Sequence, residues 1–100
     1  MTVVSDPEGV SAREILDFVD LRNKSILEIG CGKGRLTFQL ADFAKHITAI
    51  DPNAGDVQHA IKVTPGYLQE KIEFISQGIE EFELPFGSPL FDLSVFTWSL

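Results

Sequence analysis

The segment Ile26-Leu27-Glu28-Ile29-Gly30-Cys31-Gly32-Lys33-Gly34-Arg35 constrains this chain more than any other. An apolar run, broken only by Glu28, enters a turn with glycine at every second position. Residues 35–43 then read as a helix, with Leu36, Leu40 and Phe43 recurring at helical spacing. Alternating glycines weaken a strand or a helix interior, so the run is a strand–turn–helix junction. Such a junction lets a ligand approach the backbone closely. The free N–H groups at the start of the helix point at that ligand and carry partial positive charge. Asp51 follows Gly30 by 21 residues and closes a second apolar run, residues 46–50. A carboxylate there has only acceptors to offer, which suits a ligand bearing hydroxyl groups.

The rest of the chain supports one fold class. Residues 1–10 read as a loose leader, punctuated by Pro7 and Gly9. Residues 11–19 read as a helix, with Ser11 and Glu14 spaced as a capping box. Residues 25–29, 46–50, 71–75 and 91–98 read as four strands. Residues 56–63 form a further helix, stopped by Pro65-Gly66. Strands alternating with helices predict an α/β fold with a parallel sheet.

Composition bounds the function. One hundred residues make one small domain, and 44% hydrophobic content argues against disorder. The net charge of −7 argues against a general phosphate-backbone surface, so no nucleic-acid partner is expected. No apolar run has the ~18 residues needed to span a membrane. The single cysteine, Cys31, has no disulfide partner, which with the lack of a secretory signal suits a cytoplasmic protein. No histidine stands at a spacing that would make Cys31 a nucleophile, and His46 and His59 have no neighbours that suggest a metal.

The spacing of the glycines separates ligand classes. A dinucleotide turn needs Gly-x-Gly-x-x-Gly, and here the third glycine, Gly34, falls one residue early. A phosphate loop needs Lys followed by a hydroxyl residue after its last glycine, and here Arg35 and Leu36 follow Gly34. The segment resembles motif I of the class I S-adenosylmethionine-dependent methyltransferases, in which an acidic residue precedes a Gly-x-Gly-x-Gly turn. Asp51 after Ile47-Thr48-Ala49-Ile50 resembles the family's second-strand acid. The resemblance continues through Gly78-Ile79-Glu80, Leu84-Pro85-Phe86, Phe91-Asp92-Leu93 and Phe96-Thr97-Trp98. It covers residues 11–100 and the first half of such a domain.

The resemblance implies a Rossmann-like parallel sheet with flanking helices, in strand order 3-2-1-4 and truncated after the fourth strand. It implies S-adenosyl-L-methionine as cofactor. It places cofactor contacts at Glu28, Gly30, Cys31, Gly32, Gly34, Asp51, Pro52, Gly78, Ile79, Glu80 and Thr97. Glu28 would orient the turn or hold the cofactor's amino group, and Asp51 would accept from both ribose hydroxyls. Gly78 stands where many members carry an aspartate, which leaves Gln77, Glu80 or the backbone of Ile79 to meet the adenine. Family members add three strands beyond the fourth, so that strand is expected to be an unpaired apolar edge, prone to self-association. The chain is therefore expected to be a fragment. The methyl acceptor implied is a small molecule, and the catalytic base lies outside what the sequence names. The competing readings are a remnant that binds the cofactor without catalysis and a nucleotide-dependent oxidoreductase with an altered turn.

Overall fold

The computed structural model describes residues 2–5, 12–80 and 91–97. The described chain runs β1 (Thr2–Ser5), α1 (Ala12–Phe18), β2 (Ser25–Ile29), α2 (Arg35–Ala41), β3 (His46–Ile50), α3 (Ala54–Val63), a 3₁₀ turn (Gly66–Leu68), β4 (Ile72–Ile75) and β5 (Leu93–Thr97). The strands form one parallel sheet in the order β1-β5-β2-β3-β4. The four strands expected from the sequence are β2 to β5, and they stand in the expected order 3-2-1-4.

The fifth strand corrects two expectations. Thr2–Ser5 is not a loose leader: it pairs in parallel with β5, with Val3 opposite Val95 and Val4 opposite Phe96. Its β-branched residues suit a strand, and the punctuation at Pro7 and Gly9 follows the strand rather than replacing it. Consequently β5 is not an edge, since β1 and β2 flank it, and self-association through its open side loses its basis. On β5, Leu93 and Val95 are buried while Phe96 is 36% exposed.

Parallel neighbours require crossovers, and α2 and α3 supply them between β2 and β3 and between β3 and β4. The core lies where these helices meet the sheet. Ile26, Ile47, Ala49 and Val95 from the strands, Leu40 and Ala41 from α2, and Ile15 from α1 are buried together. Register is pinned at the start of β5. The Asp92 carboxylate accepts from the Ser25 N–H at 2.9 Å, and the Asp92 N–H donates to the Ser25 carbonyl at 2.8 Å. Three helix boundaries differ from expectation, α1 ending at Phe18 rather than residue 19. Helix α3 begins at Ala54 rather than residue 56, because the Asn53 side chain accepts from the Asp56 N–H at 3.0 Å and caps it. Helix α2 ends at Ala41 rather than residue 43, because the Leu40 carbonyl takes both the Phe43 and Ala44 N–H groups. Ser11, the expected cap of α1, lies outside the described residues.

Candidate functional site

The glycine turn is tied to the end of β3. The N–H groups of Gly30 and Cys31 both donate to the Ile50 carbonyl, at 2.8 and 3.1 Å, carrying the β2–β3 ladder one step past Ile29. The turn then closes on itself, Gly34 N–H donating to the Cys31 carbonyl at 3.0 Å. Asp51, 6% exposed, faces this turn. Its Oδ2 accepts from the Gly32 N–H at 3.0 Å and its Oδ1 accepts from the Asn53 N–H at 2.8 Å. Each oxygen retains a second lone-pair site. The carboxylate can therefore take two further donors side by side, the demand of a vicinal diol.

Glu28 lies beneath the turn, fully buried in β2 between Ala49 of β3 and Val95 of β5. It accepts a hydrogen bond from the hydroxyl of Thr37, which is fully buried in α2. Cys31 is buried, and its thiol faces the Gly32 carbonyl at 3.7 Å. Burial first, and the charges of Glu28 and Asp51 next, push its pKa up to about 12. At neutral pH it is a protonated thiol lining the turn, with no nucleophile's character.

The chain after β4 returns to the same place. Asp51 N–H and Gln77 N–H both donate to the Ile75 carbonyl, at 3.2 and 3.1 Å. A Cβ built on Gly78 would lie 4.0 Å from the Cβ of Pro52, so Gly78 and Pro52 are neighbours. Thus the carboxyl ends of β2, β3 and β4 converge, the usual ligand position in an open α/β sheet.

Residues 26–100 match the model of the methyltransferase domain family. The chain belongs to that family. Over 78 residues it is 40% identical to the malonyl-acyl-carrier-protein O-methyltransferase of Acetivibrio thermocellus, covering 73% of this chain and 26% of that protein. Over 44 residues it is 50% identical to ribosomal RNA small subunit methyltransferase A of Mesomycoplasma hyopneumoniae, covering 42% of this chain and 17% of that protein. Its fold superposes on phosphoethanolamine N-methyltransferase 1 of Haemonchus contortus, solved with phosphoethanolamine and S-adenosylhomocysteine. The TM-score is 0.68 at 25% identity, over 86% of this chain and 18% of that one. The chain thus spans about a quarter or less of the length of these relatives.

The Haemonchus contortus enzyme was solved with S-adenosylhomocysteine, and the turn of this chain has room for a ligand of that kind. A Cβ added to Gly32 would meet nothing within 4 Å, so the apex of the turn opens onto free space. Beside that space stands the Asp51 carboxylate, with acceptor capacity to spare. Gly34 is different. At φ 87° its added Cβ would lie 3.0 Å from Phe38 Cζ and 3.2 Å from Phe74 Cζ, rings packed edge to face at 5.9 Å. Gly34 is thus required by backbone conformation and by an aromatic pair, beneath the turn rather than at its mouth.

Of the other expected contacts, Pro52 is exposed beside Asp51, while Ile79 and Glu80 follow Gly78 in an exposed turn. Thr97 ends β5 one step beyond the level of Ile29. Leu84-Pro85-Phe86 and Trp98 lie outside the described residues. The residue that the sequence reading missed is Thr37. Its signal was present: with Leu40 and Ala41 it occupies one helical face, and a hydroxyl on a buried face needs a partner.

Proposed function

We propose that the protein is an S-adenosylmethionine-dependent methyltransferase and that this chain carries its cofactor-binding part. The observation that carries the reading is the pairing of Asp51 with the glycine turn. A carboxylate with free acceptor sites stands at hydrogen-bond distance from the Gly32 N–H, beside open space. In this reading Asp51 accepts from the two ribose hydroxyls of the cofactor. The open apex of the turn at Gly32 borders its polar chain. Pro52 and Gly78 border the adenine, with Ile79 and Glu80 beyond them, and Thr97 borders the methionine end. Glu28 acts from below by orienting the turn. Bound there, the cofactor supplies a methyl group already activated by a sulfonium. What remains for the protein is to hold it in line with an acceptor and to exclude competing geometries.

The acceptor we infer is a small molecule. Support comes from the net charge of −7, which repels a polyanionic substrate. Against it stands the ribosomal RNA methyltransferase among the relatives, which marks nucleic acid as the alternative acceptor class. Among the described residues no helix is long and apolar enough to cross a membrane.

Calorimetric titration with S-adenosylhomocysteine tests the cofactor reading, with Asp51→Ala as control. Two hydrogen bonds to an ionised acceptor are at stake, so Asp51→Ala should weaken binding at least ~100-fold. Equal affinity in the folded variant would overturn the ribose assignment. Binding of NADH with no binding of S-adenosylhomocysteine would move the protein to the oxidoreductases.

A further inference from the structure

We propose that Thr37 is a positioning residue for the cofactor site, holding the glycine turn in its binding shape through Glu28. The inference rests on the methyltransferase reading above and adds a residue outside the glycine motif. A carboxylate with both strand neighbours apolar, Ala49 and Val95, is costly to bury without hydrogen bonds. The Thr37 hydroxyl supplies one, across nine residues of sequence. A threonine inside a helix commonly turns its hydroxyl back to the carbonyl four residues earlier. Here it spans from α2 to β2 instead, joining the two elements that enter and leave the turn. The turn is then fixed at two levels. Glu28–Thr37 closes its base, and Asp51 with the Gly32 N–H closes its apex. A ligand seated against the apex gains from finding the turn and the Asp51 carboxylate already ordered. Releasing the base would let the turn sample other shapes, and binding would have to order it again.

The experiment compares wild type, Thr37→Val and Thr37→Ser in the full chain, with two readouts. The first is amide hydrogen exchange without ligand. The Gly32 N–H reports the turn, and the Ile47 N–H, which donates to the Lys71 carbonyl at 2.8 Å, reports the sheet. The second is affinity for S-adenosylhomocysteine. Losing a buried hydrogen bond to a carboxylate should speed Gly32 exchange at least ~10-fold relative to Ile47 in Thr37→Val, and weaken binding by a similar factor. Thr37→Ser keeps the hydroxyl and should stay within about threefold of wild type on both. Equal acceleration at Gly32 and Ile47 would mean general loosening and would overturn the proposal. So would a Thr37→Ser variant as impaired as Thr37→Val, because packing rather than the hydroxyl would then matter. If Thr37→Val does not fold, Thr37→Ser and Thr37→Cys decide, being alike in size and unlike in donor strength. Faster Gly32 exchange in the cysteine variant supports the proposal, and equal exchange overturns it. Wild type that fails to bind S-adenosylhomocysteine would overturn the methyltransferase reading instead, and the exchange comparison would still decide whether Thr37 holds the turn.

Discussion

Two carboxylates in this molecule make opposite uses of their hydrogen bonds. Asp20, after α1, takes the Arg22 N–H at 3.0 Å and the Arg22 guanidinium at 2.8 to 3.1 Å. Its side chain is 60% exposed, and that of Arg22 is 80% exposed. Glu28 is fully buried and accepts from the neutral hydroxyl of Thr37. Judged by the charge of its partner, Asp20 is the better held. Water reverses the ranking, because an exposed pair exchanges solvent contacts for protein contacts at almost no gain. The buried carboxylate has no such substitute. Reach differs as well. Asp20 binds a residue two positions away and fixes one local bend, whereas Glu28 joins a strand to a helix and Asp51 joins the turn to a second strand.

The largest effect expected lies under the turn. In Gly34→Ala, positive φ costs ~1–2 kcal/mol, and crowding of the Phe38–Phe74 pair adds ~1–3 kcal/mol. Gly32→Ala carries only the first cost, since its added Cβ meets open space. Urea unfolding should therefore rank Gly34→Ala well below Gly32→Ala in stability. Titration with S-adenosylhomocysteine should reverse the order of severity, since the new methyl at Gly32 projects where the cofactor would lie. Equal losses of stability would break the distinction between a glycine required by packing and one required by access.

That distinction was only half legible in the sequence. The glycine spacing and Asp51 announced a turn facing a carboxylate, and the structure places the Gly32 N–H on that carboxylate. Periodicity gave β2 and β3 their observed bounds, because both are short, apolar and bounded by polar or glycine residues. What periodicity could not give was partnership between distant residues. Gly34 read as room for a ligand, while the space is claimed by Phe38 four residues on and by Phe74 from β4. Thr37 went unread, since its partner lies on another element. Thr2–Ser5 read as a leader for the same reason, since so short a run gains its identity only from β5 alongside it.

The Cys31 thiol offers a smaller, pH-dependent effect. Its pKa is pushed up from 9.0 to about 12, by burial first and then by the charges of Glu28 and Asp51. The native thiol keeps its proton across this window while the unfolded thiol loses it. The unfolded state then binds fewer protons, so stability is intact below pH 9 and falls as pH rises towards 12. The slope for one such group is at most about 1.4 kcal/mol per pH unit. Cys31→Ala should flatten that part of the alkaline limb, measured as urea midpoints at successive pH values against wild type. Parallel curves would mean that the thiol is solvated in the native state and that the base of the turn is wetter than its burial implies.

The smallest effect should come from the best-connected surface pair. Arg22 holds the Asp20 carboxyl down to about 2, through its side-chain hydrogen bonds first. A depressed carboxyl contributes stability above its ordinary pKa and loses it as pH falls from 3.8 towards about 2. Both partners are open to water, so screening removes most of that contribution, and 0.5 M salt removes more. Asp20→Asn should leave the urea midpoint at pH 7 within experimental error of wild type and leave S-adenosylhomocysteine affinity unmoved. A loss of stability matching that of Thr37→Val would mean that the charge of the partner, and not removal from water, sets what a carboxylate contributes here. It would also undo the contrast between the exposed and the buried carboxylate.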